Sequence, residues 1–264
     1  PLYSSAASDV YKRQGDIYVG DAFSCTHRAH ASVEALPRQM TEATAGRALG
    51  EELSALHAAL ASPARPVAAI VGGAKVSTKL QVLENLITKV DRLVLGGGMA
   101  NTFLMAAGQN VGASLVEADM VDTARAISDK AAARGCQINL PEDFLVATRL
   151  AADVPHRIAG PGELSTDEMI LDAGPESVAT AVADLAECRT VVWNGPMGAF
   201  EFPPFDSATN AVARAVAAAT QSGGTLSVAG GGDTLAALAN AGVSDQFSYV
   251  CLLYTSPSPR DLST

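Results

Sequence analysis

Lys75 and Lys79 stand four residues apart directly after a Gly72-Gly73 pair, and Asp233 follows Gly230-Gly231-Gly232. A third glycine run, Gly96-Gly97-Gly98, lies between them in the sequence. Where side chains are missing, backbone N–H groups can close on an anion, and a helix that starts there adds partial positive charge. Eight of the chain's 23 glycines fall in these three turns, so phosphate binding is the chemistry the pattern points to. A spacing of four puts both lysines on one helical face, where they oppose the dipole unless an anion arrives. Two solvated surface lysines are the alternative. Asp233 is either the N-cap of the helix it opens or a ligand for Mg²⁺, which commonly takes one or two carboxylates plus phosphate oxygens, and the two roles are compatible.

Two further segments carry polar groups suited to a ligand. Trp193-Asn194-Gly195-Pro196-Met197-Gly198 ends an apolar run and is followed by Phe200 and Glu201. Trp193 reads as core, and Asn194 and Glu201 as groups that orient a nucleotide, Glu201 by accepting hydrogen bonds from ribose hydroxyls. Upstream, Cys25-Thr26-His27-Arg28-Ala29-His30 has no fourth ligand and no second cysteine nearby, which argues against a metal site. Arg28 suits an anionic substrate, because a guanidinium reads carboxylate and phosphate bidentately. Neither standard phosphate cradle is present. No GxGxxG follows a strand, and no Gly-Lys pair exists for a GxxxxGK[ST] loop.

The elements that must position these residues are legible as a repeat. Short apolar runs at Val67–Val71, Leu93–Leu95, Ile138–Leu140, Met169–Leu171, Val191–Trp193 and Leu226–Ala229 read as strands buried on both faces. Between them the spacing predicts helices over about 77–90, with Leu80, Leu83, Leu86, Ile87 and Val90 on one face, and over about 117–134, stopped by Gly135. Further helices are expected from Pro175, over 207–220 and over 233–240. Alternation of this kind means a doubly wound, Rossmann-like α/β domain with a parallel sheet and helices on both faces. Its ligands sit beyond the carboxyl ends of the strands, which is where the glycine turns fall.

Composition narrows the partners. The chain has 264 residues, 28 acidic and 18 basic, for a net charge of −10. Without a Lys/Arg run, that balance argues against nucleic acid as a partner. No apolar stretch approaches the roughly 18 residues of a membrane span. Cys25, Cys136, Cys188 and Cys251 form no CxxC, and reduced thiols in a cytoplasmic protein are the economical reading. Residues 1–14 and 251–264 carry no period, are Ser/Pro-weighted and read as adaptor-derived flanks around 15–250.

The segments GDIYVGDAFSCTHRAHAS, VGGAKVSTK, LVLGGGMANTFL, LPEDF, LDAGPES, VVWNGPMGAFE and GGGDT occur in an order that resembles the phosphoglycerate kinase family across 15–250. The resemblance implies reversible phosphoryl transfer between 1,3-bisphosphoglycerate and ADP, with Mg²⁺ and ADP or ATP bound by the C-terminal of two domains, in a monomer. It implies that 15–45 is the remnant of the N-terminal, phosphoglycerate-binding domain, 46–60 the interdomain helix and 61–250 the nucleotide-binding domain. Position by position, Lys75 and Lys79 resemble lysines near the nucleotide phosphates, with Lys79 stabilising the phosphoryl in flight. Gly73, Ala74, Gly96 and Gly97 would line the adenine and ribose pocket. Asn194, with Gly195 and Pro196, would face the phosphates, and Glu201 would hold the ribose. Gly231, Gly232, Asp233 and Thr234 would meet Mg²⁺ and the phosphates, and Arg28 would bind phosphoglycerate. Most of the family's N-terminal domain and its last Gly-rich loop have no counterpart in 15–250. The chain is therefore expected to bind nucleotide with impaired catalysis, the alternative being a purely non-catalytic Mg-nucleotide module.

Overall fold

A computed structural model of the chain describes residues 15–22, 25 and 30–251. It begins with two short parallel strands, β1 (Ile17–Gly20) and β2 (Glu42–Ala45), paired from Ile17↔Glu42 to Gly20↔Ala45. A π-helical turn, Ala31–Ala35, runs into α1 (Leu36–Gln39) between them. Next comes α2 (Arg47–Leu60), whose N-cap is Gly46. Asp21, just past β1, accepts the Leu49 N–H at 2.8 Å and so satisfies one of the amides that a helix start leaves open. This helix packs along the last three strands of the described residues.

The repeat then unfolds in order: β3 (Val67–Val71), α3 (Leu80–Leu86), β4 (Arg92–Leu95), α4 (Gly97–Ala106), α5 (Val121–Ala133) and β5 (Gln137–Asn139). Three strands follow, β6 (Phe144–Ala147), β7 (Arg157–Ala159) and β8 (Met169–Ala173). The rest comprises α6 (Pro175–Ala186), β9 (Thr190–Asn194), α7 (Ser207–Gln221), β10 (Leu226–Gly230), α8 (Gly232–Ala241) and β11 (Tyr249–Cys251). Six strands form one all-parallel sheet in the order β11-β10-β9-β3-β4-β5. The doubly wound expectation is met.

All five residues of β3 are buried, as a strand covered on both faces requires. Val67, Ala69 and Val71 meet Leu83 of α3, Phe103 of α4 and Ile127 of α5 on one face. Ala68 and Ile70 meet Leu185 of α6, Val212 of α7 and Leu238 of α8 on the other. Two cores thus clamp one sheet, and every strand end between them is held in register with its neighbour.

Four expectations need correcting. Met169–Leu171 is a strand, but it lies outside the main sheet, pairing antiparallel with β6 in a three-stranded sheet ordered β7-β6-β8. An apolar run announces a strand without naming its neighbour, and the sixth place in the main sheet belongs to β11. The helix expected from residue 77 starts at Leu80. Before it, Thr78 Oγ1 donates to Lys75 O at 2.9 Å and Ser77 is tied to Glu117, so side chains compete for the backbone and delay the first helical turn. Lys75 and Lys79 consequently do not share a helix face. Asp233 is not the N-cap of α8, a place taken by Gly231. Strands β2, β6 and β7 are additions to the expected set, and β2, exposed throughout, has no buried run to announce it.

Candidate functional site

Strands β3 and β9 end side by side, with Val71 opposite Asn194. Beyond them Gly72 N–H donates to Asn194 O at 3.0 Å. A Cβ on Gly72 would fall 1.8 Å from Pro196 O, so only glycine allows the two turns to touch. Gly195 has φ +104°, and a Cβ there would lie 2.3 Å from Gly72 O. The remaining turns are locked onto this pair. Gly97 N–H donates to Met197 O at 2.7 Å, Met99 N–H to Gly73 O at 2.9 Å, and Gly195 N–H to the buried Thr234 Oγ1 at 2.7 Å. Four strand ends therefore converge on one surface.

Lys79 occupies the centre of that surface. Its Nζ donates to Gly72 O at 2.6 Å, to Asn194 O at 3.0 Å and to Asn194 Oδ1 at 2.6 Å. Burial brings its pKa from 10.5 down to about 8, against the opposing pull of the Asp233 carboxylate. A cation held among carbonyl oxygens at the mouth of several strands is a counter-charge for an anionic ligand. Lys75 is exposed and stands apart from this cluster, on the side of Glu117.

A cavity of about 290 Å³ opens beside these turns. Gly73, Ala74, Gly97, Pro196, Glu201 and Asp233, all anticipated in the sequence, contribute to its walls. Glu201 and Asp233 are exposed carboxylates with no hydrogen-bond partner among the described residues. Gly96 is set back from the cavity, buried against Met197, where a Cβ would approach Met197 Cα to 2.6 Å. Gly231 lies beside Asn194 and Thr234, and Gly232 is the first residue of α8. Thr234 serves the Gly195 amide instead of facing outwards. Arg28 and His27 fall outside the described residues, as do the two flanks apart from Cys251.

Sequence reasoning missed the apolar part of the cavity lining, to which Leu115, Leu150, Met169 and Leu171 contribute, Leu115 lying close to Gly98. Asp172 was missed as well. It is 1% exposed, its Oδ2 accepts Ala208 N–H at 2.8 Å and Ser207 Oγ–H at 3.0 Å, and its Oδ1 has no partner. Burial raises its carboxyl to about 7, with those two donors pulling the other way and Asp206 adding to the rise. Its signal, a carboxylate at the end of an apolar run, is visible only after β8 is placed next to α7.

A family model for phosphoglycerate kinase matches residues 4–252. The chain belongs to the phosphoglycerate kinase family. Among curated members, the phosphoglycerate kinase of Rhodospirillum centenum is 60% identical over 236 residues, covering 89% of this chain and 59% of that protein. That of Dinoroseobacter shibae is 58% identical over 236 residues, covering 89% and 60%. The chain thus spans about 60% of the length of the curated relatives it matches. The phosphoglycerate kinase structure from Coxiella burnetii superposes with a TM-score of 0.89 at 43% identity, over 94% of this chain and 64% of that one. The structure from Pyrococcus horikoshii gives 0.77 at 28% identity, over 91% and 59%.

Proposed function

We propose that this chain carries the nucleotide half of a phosphoglycerate kinase, the enzyme of reversible phosphoryl transfer between 1,3-bisphosphoglycerate and Mg·ADP. The observation that carries the reading is the Lys79 ammonium, drawn out of solvent onto the ends of β3 and β9 beside Gly73, which lines a cavity of glycine and apolar residues. Flat apolar surface suits a purine, and the lysine suits the phosphates that follow it.

Within that reading, Lys79 neutralises charge on the transferring phosphoryl and Lys75 meets the nucleotide phosphates from the exposed side of the same turn. Gly73, Ala74 and Gly97 admit the base and ribose, and Glu201 accepts hydrogen bonds from the ribose hydroxyls. Asn194, Gly195 and Pro196 set the turn the phosphates face, and the start of α8 at Gly231 and Gly232 offers backbone N–H groups. Asp233 would hold Mg²⁺. Among the described residues no cluster of three or more His, Cys, Asp or Glu could bind a metal unaided. One free carboxylate fits magnesium that brings phosphate oxygens as its other ligands. Bound there, Mg²⁺ supplies neutralisation of phosphate charge. Phosphoryl transfer asks for positioning and charge more than covalent catalysis, which is what these residues can provide.

The domain assignment follows the same reading. Residues 15–45, with the β1–β2 pair, are the remnant of a phosphoglycerate-binding domain, 46–60 is the interdomain helix, and 61–250 is the nucleotide-binding domain. Arg28 contacts the phosphoglycerate end of the substrate. Turnover by this chain alone is expected to be strongly impaired, because it spans about 60% of the length of the curated relatives it matches and phosphoryl transfer depends on holding both substrates in place. A cytoplasmic monomer is consistent with the acidic composition. Among the described residues no helix is long and apolar enough to cross a membrane.

Calorimetric titration of Mg·ADP into the chain tests the proposal, with Lys79→Ala and Asp233→Ala as controls. Saturable binding weakened by both substitutions is the expected result. A folded chain that binds nucleotide equally well without Lys79 would sink it. Measured turnover near that of a full-length enzyme would overturn the claim of impairment.

A further inference from the structure

Glu117 lies forty residues beyond the lysine turn in sequence, yet its carboxylate closes on it. Oε2 accepts Ser77 N–H at 3.0 Å, and Oε1 accepts the Ser77 hydroxyl at 2.5 Å. The backbone of Glu117 is itself anchored, its N–H donating to Oγ1 of Thr102 at 3.1 Å, and Thr102 is fully buried in α4. Leu115, two residues earlier, lines the cavity. A buried helix, one residue of the cavity lining and the lysine turn are thus joined through Glu117, the helix by its backbone N–H and the turn by its carboxylate. The hydrogen bond from Ser77 holds the Glu117 carboxyl below the usual range, with Lys75 adding in the same sense.

We propose that Glu117 is a positioning residue for nucleotide phosphate binding: by gripping Ser77 at both its N–H and its hydroxyl, it fixes the turn from Lys75 to Lys79 against the Leu115 wall of the cavity. The inference rests on the nucleotide reading above and extends it to a residue that touches no ligand.

Two effects of opposite sign meet at this carboxylate. As an anion near Lys75, it competes with phosphate for that lysine. As a clamp, it removes freedom from the middle of the turn between β3 and α3, adding to the bonds from Thr78 Oγ1 to Lys75 O and from Lys79 N–H to Val76 O, each at 2.9 Å, and to those of the Lys79 ammonium at the turn's end. Freedom removed beforehand is freedom the ligand need not remove on binding. Lys75 and Glu117 form no ion pair within 4 Å, and exposed charges at longer range are screened by salt. Two charge-assisted hydrogen bonds are the stronger effect, so the clamp wins.

The test is a double-mutant cycle on Mg·ADP affinity, read by calorimetry on the full chain. Glu117→Gln and Ser77→Ala are each expected to weaken binding about threefold to tenfold, the range that loss of one or two such bonds gives. The double variant should bind no worse than Glu117→Gln alone, because the hydroxyl bond that Ser77→Ala removes is one of the two the Glu117 carboxylate makes. Ser77→Thr, which keeps the hydroxyl, should restore affinity to near the wild-type value. Unchanged or tighter binding by Glu117→Gln overturns the proposal, and so do losses that simply add in the double variant. If Glu117→Gln does not fold, Ser77→Ala against Ser77→Thr decides alone. Failure of the nucleotide reading looks different. There the wild-type chain does not bind, or Lys79→Ala binds as well as it does, and the positioning role falls with it. Weak binding by Lys79→Ala beside unaltered binding by Glu117→Gln removes only the positioning role.

Discussion

Nucleotide affinity should fall as pH rises through the range in which Lys79 loses its proton. Burial at the ends of β3 and β9 brings this lysine from 10.5 to about 8. Roughly nine-tenths of the free chain then carries the ammonium at pH 7 and about one-tenth at pH 9. If phosphate needs that charge, the apparent Kd rises by about tenfold between those two values, since affinity scales with the competent fraction. A bound phosphate also returns the lysine toward its ordinary pKa, so binding at pH 8 takes up about half a proton. The phosphates of ADP are largely ionised across this window and do not supply the effect.

The assay is calorimetry with Mg·ADP at pH 7, 8 and 9 and constant ionic strength. Each titration is run in two buffers of different ionisation enthalpy, so that proton uptake is counted directly. Lys79→Met should bind weakly with a flat profile. A wild-type Kd constant within about twofold, with no proton uptake, would refute the reasoning, because one pKa unit corresponds to a tenfold change. So would a Lys79→Met variant that keeps the slope. Stability runs in the opposite direction. Unfolded Lys79 holds its proton up to 10.5 and folded Lys79 only to about 8, so between those values the unfolded state binds more protons and stability rises with pH.

Two more outcomes follow from the same geometry. Gly72→Ala places a Cβ 1.8 Å from Pro196 O, a backbone atom that cannot step aside alone, and should lower stability in urea by at least about 2 kcal/mol; a loss under about 0.5 kcal/mol would contradict that contact. Asp172 keeps its proton to about 7 when folded, against 3.8 as the ordinary value, so the folded state binds more protons across that window and stability falls as pH rises. The shift bounds the loss at about 4 kcal/mol. Asp172→Asn should therefore gain stability relative to wild type between pH 5 and pH 8 in parallel urea melts, and a constant difference would exclude the assignment.

Local pattern reached the sheet and stopped short of the contacts that make the site. A buried strand such as β3 writes its burial into five consecutive apolar residues, and the glycine turns write the close approach of backbones into their composition. Those signals place the turns at the carboxyl ends of a parallel sheet, and Gly73, Gly97 and Asp233 do meet at one cavity there. Helix α4 is a harder case. Seven of its ten residues are buried, so it has no polar face and no amphipathic period to detect. The lysines show the limit most clearly. A spacing of four places two residues on one face only if a helix runs through both, and that depends on Ser77 and Thr78 leaving the backbone free. Glu117 takes Ser77 from forty residues away, and Asn194 takes the Lys79 ammonium from 115 residues away. Neither partner is marked by spacing, because what brings them near is the order of strands β9, β3 and β4 in the sheet. The roles of single residues at such a site are therefore set by sheet order first and by local sequence second. Gly96 shows the same rule from the other side, since in sequence it is equivalent to Gly97, yet it is spent on Met197 of the neighbouring turn.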